Sequence, residues 1–278
     1  MDDPPLGLIA GTGRLPILTA QGMRAVGRRV VAVGLRGQFD PDLPALCDRF
    51  NTAGIAQLGR WIRLLRRSGV RQAVLVGAVD KRRMYGGPLA YFQCMPDWRA
   101  ARLWYRKLRN DRRTDAMLRA LVGEIESTGI NLVGAADYIP DMLAGAGVMT
   151  RARPSAGQMA DIAFAMPILR HLGQVDIGQS IAVRDREVIA IEAIEGTAAT
   201  IARAGELCPT GKWVLVKLAK PNQDMRVDAP TIGVQTIRQL ADARAGCLAV
   251  EAGKVILLDK PQLLAEADRL GIAIIGIR

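Results

Sequence analysis

The feature that most restricts what this chain can fold into is the way it begins. A short apolar run, Leu6 to Ala10, reaches Gly11-Thr12-Gly13; an apolar pattern at helical spacing (Leu15, Leu18, Met23, Val26) then leads to a second run, Val30 to Val33. A strand passing through a glycine turn into a helix and on to another strand is the unit from which parallel sheets are wound. Further along, Leu58, Ile62 and Leu65 share one helical face while Arg60, Arg63 and Arg67 share another, ahead of the run Ala73 to Val76. The chain is 50% hydrophobic but only 4% aromatic and holds 29 glycines, which suits Ala/Val/Ile/Leu sheets joined by tight turns. The fold class expected is α/β.

The Gly11-Thr12-Gly13 turn has two readings. Backbone N–H groups at the start of a helix can cradle a phosphate, or the glycines can simply serve a tight turn. The dinucleotide fingerprint needs a third glycine, and Pro16 stands in its place, so ordinary NAD binding is not expected. After Gly77 the segment Ala78-Val79-Asp80-Lys81-Arg82-Arg83 lies where open α/β sheets present ligand groups; Lys81 is either a phosphate contact or a solvated loop charge.

Charge narrows the partners. The formal net charge is +11, and residues 1–139 carry 22 Lys/Arg against 12 Asp/Glu while residues 140–278 carry 16 against 15, so the excess is N-terminal. Such a surface attracts phosphates of nucleic acid, anionic lipid or substrate alike. From Asp97 onward Arg102, Arg106, Arg109 and Arg113 recur at helical spacing opposite Ala101, Trp104 and Leu108. That face is either merely solvated or a docking face for an anionic membrane surface. No RNA- or DNA-binding module accompanies it, and no nucleic acid partner is expected.

No apolar run approaches the roughly 20 residues of a membrane-spanning helix. The start Met1-Asp2-Asp3-Pro4-Pro5 lacks the basic and apolar regions of a signal peptide, which points to the cytoplasm. Cys47, Cys94, Cys208 and Cys247 form no CxxC pair and there is one histidine, so reduced structural thiols are expected rather than a zinc site.

The helical pattern after Asp97 continues through Asp115, Leu118, Leu121, Val122 and Ile125, with Asp115 and Arg119 spaced for an i,i+4 pair, and hands over to a strand, Asn131 to Gly134. Ile139-Pro140 and the small-residue stretch Leu143-Ala144-Gly145-Ala146-Gly147 then mark a connection. We place a first domain at 1–140, a linker at 141–155 and a second domain at 156–278. Pro154-Ser155 with Gln158 and Asp161 starts a helix, with Ala163, Ile168, Leu169 and Leu172 on its buried side. Beyond it, strands are predicted at Ser180 to Val183, Val188 to Ala193, Trp213 to Leu218, Cys247 to Val250, Val255 to Leu258 and Ala273 to Ile277. Helices are predicted at Ala198 to Ala204, Gln235 to Ala243 and Lys260 to Leu270.

The densest polar run is Lys217-Leu218-Ala219-Lys220-Pro221-Asn222-Gln223-Asp224-Met225-Arg226-Val227-Asp228-Ala229-Pro230-Thr231-Ile232-Gly233, after a strongly apolar strand. Cations of this kind hold phosphate oxygens, and carboxylates such as Asp224 and Asp228 hold Mg²⁺ or a proton. A salt-bridged surface loop could have the same composition. A second cluster, Glu192-Ala193-Ile194-Glu195-Gly196-Thr197, ends another apolar strand; alternation puts Glu192 and Glu195 on opposite faces, so the two acids need not act together.

These segments resemble a known family. Asp176-Ile177-Gly178-Gln179-Ser180, Glu192 through Thr197, Lys217 through Gly233 and the opening Ile9-Ala10-Gly11-Thr12-Gly13-Arg14-Leu15-Pro16 are similar, in order and across essentially the whole chain, to the LpxI-type UDP-2,3-diacylglucosamine diphosphatases of lipid A synthesis. The resemblance implies an N-terminal Rossmann-like domain and a distinct C-terminal catalytic α/β domain with the lipid-linked UDP-sugar substrate between them. It implies Mg²⁺-dependent hydrolysis to UMP and 2,3-diacylglucosamine 1-phosphate (lipid X), with water directed at the β-phosphorus. On this reading Asp224 is the catalytic acid and Lys217, Lys220 and Arg226 neutralise the diphosphate. Asp224 and Asp228 hold the metal, and Gly11, Thr12, Gly13, Lys81, Gln179, Glu192, Glu195, Gly196, Thr197 and Gln223 contact substrate. Relatives commonly carry an acid where Ala198 stands. An apolar groove for two acyl chains has Met142, Leu143, Val148, Met149, Met159 and Met166 as candidates, each of which could equally be core. The expected location is peripheral, on the inner face of the inner membrane, and association as a homodimer is left open. Rival readings are a nucleotide-dependent oxidoreductase or sugar-nucleotide transferase using the glycine turn, and a basic membrane- or RNA-binding module.

Overall fold

The computed structural model describes residues 3–79, 95–110 and 113–278. The chain divides into two compact units: Met1–Pro140 with Asp224–Asp228, and Asp141–Gln223 with Ala229–Arg278.

The first unit is built from β1 (Leu6–Ala10), α1 (Arg14–Ala25), β2 (Val30–Leu35), β3 (Arg49–Ala53), α2 (Leu58–Arg67), β4 (Gln72–Val76), α3 (Trp98–Leu103), α4 (Thr114–Glu126) and β5 (Asn131–Leu132). Its sheet runs β3-β2-β1-β4-β5 with every pairing parallel. That is the Rossmann-like order, whose direction reverses between β1 and β4. β1 and β2 are buried throughout, as strands covered on both faces must be. Alternation sends Leu6, Leu8 and Ala10 against Ile17, Ala20 and Met23 of α1, and Ile9 against the opposite face with Trp61, Ile62 and Leu65 of α2 and Ile125 of α4.

Two expectations are corrected here, and one strand is added. Val26 is not part of the α1 face: it caps the helix end and is 58% exposed. β3 has no apolar alternation to reveal it; it is an edge strand whose Arg49-Phe50-Asn51-Thr52 are only partly covered. Trp104 does not join the buried stripe of its helix, because α3 passes into a π-helical turn over Trp104–Leu108. The wider turn brings residues five apart onto one face, so Leu103 and Leu108 are buried and Trp104 is 46% exposed.

The second unit contains β6 (Gly147–Val148), α5 (Ala156–Gln174), β7 (Ser180–Arg184), β8 (Glu187–Ile191), α6 (Thr197–Leu207), β9 (Val214–Lys217), β10 (Thr231–Ile232), α7 (Val234–Asp242), β11 (Cys247–Glu251), β12 (Ile256–Leu257), α8 (Lys260–Leu270) and β13 (Ala273–Ile277). Its sheet runs β6-β13-β11-β9-β7-β8. β9, β11 and β13 are mutually parallel, while β6 and the β7–β8 hairpin are antiparallel to their neighbours. A short parallel pair, β10 and β12, stands apart. One sheet face packs Leu215, Leu248 and Ile274 against Ile201 of α6, Ile237 and Leu240 of α7 and Leu263 of α8. The other packs Val214, Val216 and Ala249 against α5 alone.

Ser155 and Gln158 cap α5 reciprocally, Gln158 N–H donating to Ser155 Oγ at 3.2 Å and Ser155 N–H to Gln158 Oε1 at 2.9 Å. The buried face of α5 is Ile162, Ala165 and Leu169, with Ile168 packed beside it; of the residues expected there, Ala163 is exposed. Residues 141–155, read from the sequence as a linker, form part of this unit: Gly147–Val148 pairs with β13, and Ile274 N–H donates to Thr150 Oγ1 at 2.8 Å. Among the described residues no helix is long and apolar enough to cross a membrane. Cys47, Cys208 and Cys247 are free thiols; burial pushes Cys247 up to about 12 and Cys47 up to about 11, which makes both unreactive at neutral pH. Cys94 lies outside the described residues.

Candidate active site

At the switch point of the first unit, the turn after β1 is tied to the turn after β4. Gly11 N–H donates to Val76 O at 2.8 Å, Thr12 N–H to Ala78 O at 2.8 Å, and Ala78 N–H back to Thr12 O at 2.9 Å. The Thr12 hydroxyl donates to the same Ala78 carbonyl at 2.9 Å. Glycine is required for this approach: a Cβ on Gly11 would lie 2.5 Å from Ala78 O, and Gly77, at φ 99°, would place one 2.7 Å from the Gly11 carbonyl carbon. Gly11 and Thr12 therefore spend their N–H groups on joining two loops, not on cradling a phosphate. Gly13, at φ 102°, is the exposed N-cap of α1 with open space around its Cα. Lys81 lies outside the described residues.

In the second unit the register brings a row of polar residues to one end of the sheet. Ser180 opens β7 and pairs with Lys217, the last residue of β9, while Glu192, just past β8, donates its N–H to Ser180 O at 2.9 Å. Residues directly opposite share a face, so all three side chains point to the side that α6 covers. Thr197, the first residue of α6, completes the group. The Lys217 ammonium donates to Thr197 Oγ1 at 2.7 Å and Thr197 Oγ1 donates to Glu192 Oε1 at 3.1 Å. Ser180 Oγ donates to Glu192 Oε2. Ser180 is fully buried and Lys217 is 6% exposed. Gly178, at φ 57°, lets the chain pass against the Glu192 carbonyl, where any Cβ would collide.

Lys220 lies beyond β9 in the same unit. Its ammonium sits 2.6 Å from Asp176 Oδ1, and its backbone forms a turn with Gln223: Lys220 N–H donates to Gln223 Oε1 at 3.0 Å and Gln223 N–H to Lys220 O at 3.1 Å. Leu218 N–H donates to Gln179 O at 3.0 Å, which extends the β9–β7 ladder.

Asp224 and Arg226 belong to the first unit. Arg226 donates Nε to Asp224 Oδ1 at 2.9 Å, Nη2 to Oδ2 at 2.7 Å and its backbone N–H to Oδ1 at 3.1 Å. Its remaining nitrogen, Nη1, donates to Glu126 Oε1 at 2.7 Å. The Arg226 hydrogen bonds hold the Asp224 carboxyl below its ordinary range, outweighing the opposing effect of burial, so it is ionised at neutral pH. Asp228 N–H donates to Asp224 O at 3.0 Å, closing the turn.

Lys217, Glu192 and Thr197 are joined, with Ser180 added. Lys220 and Gln223 share a turn. Asp224 and Arg226 form a forked pair with Glu126. Glu195 is exposed in a turn beyond β8, and Gly196, at φ 84°, is the N-cap of α6. Among the described residues no three His, Cys, Asp or Glu side chains gather where they could hold a metal ion, and Arg226 occupies both Asp224 oxygens; Asp224 and Asp228 do not make a preformed metal cage. Of the acyl-groove candidates, Met149 and Met166 pack against the two cores, while Val148 is 36% and Met159 42% exposed. The sequence reading missed Glu126, which lies a hundred positions from its partner Arg226 with nothing local to signal the pairing.

A second surface of the first unit is basic and aromatic together. Trp98 is 81%, Tyr105 69% and Trp104 46% exposed, and Arg63, Arg66, Arg67 and Arg99 line an open groove beside Trp98. Trp98 opens α3, and the π-helical turn that follows holds Trp104 and Tyr105.

Fold and residues together define a two-unit α/β protein, a Rossmann-ordered unit followed by a mixed-sheet unit that carries a buried lysine at a strand end. Models of the LpxI N-terminal and LpxI C-terminal domains match residues 5–142 and 145–275. The chain belongs to the LpxI family. It is 34% identical over 282 residues, covering 98% of this chain and 97% of the relative, to the UDP-2,3-diacylglucosamine pyrophosphatase LpxI of Caulobacter vibrioides. Among solved structures, the biotin carboxylase domain of a single-chain bacterial carboxylase is similar at 15% identity and a TM-score of 0.22, covering 76% of this chain and 56% of that one, too slight a likeness to carry an argument.

Proposed function

We propose that this chain hydrolyses the diphosphate of UDP-2,3-diacylglucosamine to UMP and 2,3-diacylglucosamine 1-phosphate, a step of lipid A biosynthesis. The single observation that supports it best is membership of the LpxI family across both domains, with a relative of that name aligned over nearly the full length. The chemistry of the residues agrees. Lys217, Lys220 and Arg226 are cations of the kind a diphosphate needs, and the ionised Asp224 is an acceptor of the kind that can orient water. Gln179, Gly196 and Gln223, next to these groups in the chain, are the nearest candidates for substrate contacts. Mg²⁺ is part of the proposal as a cation carried largely by diphosphate oxygens, since it commonly uses only one or two protein carboxylates.

The same reading places the protein at the cytoplasmic face of the inner membrane, held peripherally. The exposed Trp98, Trp104 and Tyr105 beside the arginines of the first unit support this part, because aromatic rings and cations suit the headgroup region. The test of the activity is direct: purified protein with UDP-2,3-diacylglucosamine and Mg²⁺ should release UMP and the sugar 1-phosphate in equal amounts. A preparation that releases no UMP above a blank overturns the proposal. Turnover of the substrate only with NAD or an acceptor sugar would favour the oxidoreductase or transferase rivals instead.

A further inference from the structure

The chain of contacts Lys217–Thr197–Glu192–Ser180 has a fixed polarity. Glu192 accepts from both hydroxyls: Ser180 donates to Oε2, and Thr197 donates its single proton to Oε1 at 3.1 Å. With that proton committed, a lone pair of Thr197 Oγ1 faces the Lys217 ammonium, which donates to it at 2.7 Å. The Lys217 side chain, 6% exposed, is held by a hydroxyl that is itself held by a carboxylate. Lys220 meets Asp176 at 2.6 Å.

The backbone makes the arrangement rigid. Ser180 and Lys217 are cross-strand partners, Glu192 N–H donates to Ser180 O at 2.9 Å, and Thr197 is fixed as the first residue of a helix packed on the same sheet. The N-terminal turn of α6 holds no acidic residue, so the positive end of its dipole and the Lys217 ammonium lie together with Glu192 as the hydrogen-bonded anion. A site of this polarity favours a further anion.

We propose that Glu192 and Thr197 are positioning residues that hold the Lys217 ammonium in one orientation, directed at a phosphate oxygen of the substrate. This rests on the diphosphate-hydrolase reading and assigns Glu192 and Thr197 to Lys217 instead of to substrate or metal. A polar chain of this kind distinguishes substitutions of equal size. Thr197→Val keeps the shape and removes the relay. Thr197→Ser keeps the hydroxyl. Glu192→Gln keeps the shape but brings an NH₂ that faces one hydroxyl as a donor, which breaks the polarity.

The test measures kcat and KM for UMP release, thermal midpoint, and the lysine ammonium resonances in ¹H–¹⁵N spectra of uniformly labelled protein, with Lys217 assigned by the signal missing from Lys217→Met. Thr197→Val and Glu192→Gln should lower kcat by roughly tenfold to a hundredfold, the scale of a misplaced group, with KM within about threefold. Both should lose the exchange-protected Lys217 resonance. Thr197→Ser should recover both readouts. An active wild type whose Thr197→Val and Glu192→Gln variants keep kcat within twofold overturns the proposal. So does a loss that follows the thermal midpoint alone while the Lys217 signal persists. A wild type that releases no UMP sinks the hydrolase reading; the resonance then decides the remainder, its persistence in Thr197→Val overturning the positioning role and its loss upholding it.

Discussion

Arg226 grips Asp224 with both prongs of its guanidinium, Nε to Oδ1 at 2.9 Å and Nη2 to Oδ2 at 2.7 Å, and its backbone N–H adds a third bond. The fork fixes the plane of the carboxylate as well as its charge. Because the Asp224 pKa is lowered, the pair stabilises the protein above the ordinary carboxylate range and loses its effect as pH falls through the lowered value. If ionised Asp224 is needed for turnover, wild-type activity should persist into the acid range with respect to this group. Arg226→Gln should move the acidic limb of the kcat/KM profile to higher pH; an unmoved limb would show that another group governs it.

Asp224→Asn keeps the shape and removes the charge. Turnover should fall about a hundredfold or more, the contribution of a placed acid or base, while KM changes little. If the carboxylate serves only as the partner of Arg226, the variant will instead unfold at lower temperature and keep near-normal turnover when assayed cold.

Activity should depend on Mg²⁺ or Mn²⁺ and be indifferent to zinc-selective chelation, since the polar groups are oxygen donors and the described thiols are dispersed. Full turnover in excess EDTA would count against any divalent cation in the reaction.

Vesicles containing anionic lipid should retain the protein at low ionic strength and release it as salt is raised, because attraction between surface charges is screened over about 10 Å at 0.1 M salt. Charge reversal at Arg102, Arg106 and Arg109 should weaken retention severalfold, and Trp98→Ala should weaken it without altering its salt dependence. Retention unchanged in both variants would place the membrane contact elsewhere.

Gly77→Ala should destabilise the first unit by about 1–3 kcal/mol, since it adds a strained positive φ to a Cβ that meets the Gly11 backbone at 2.7 Å. Urea unfolding followed by tryptophan fluorescence would measure it. A change under 0.5 kcal/mol, the ordinary scatter of surface substitutions, would mean that the two loops separate freely.

Much of the fold could be read from the sequence because apolar periodicity is a local signal. β1, β2, β4 and the strands around the second core announce themselves by runs of Val, Ile, Leu and Ala. The cap at Ser155 and Gln158 is a two-residue pattern and was equally visible. What escaped depended on register or distance. The edge strand β3 is polar on the face it leaves open, and the π-helical turn at Trp104–Leu108 defeats a search at 3.6 residues per turn. At the site, β8 ends at Ile191 and Glu195 lies in the turn beyond it, so strand alternation does not govern that pair; the union of Glu192 with Lys217 required the β7–β9 register, and that of Arg226 with Glu126 required the tertiary fold.

The five residues Asp224–Asp228 lie in the sequence among residues of the second unit but fold with the first. A single cut near Pro140 therefore does not follow the division between the units. A fragment ending there leaves Glu126 without Arg226 and removes Val227 from the apolar cluster it joins. A fragment beginning there carries Asp224 and Arg226 away from that support. The gene encodes two folds, but the polypeptide is interleaved: the first unit takes five of its residues from within the stretch that builds the second.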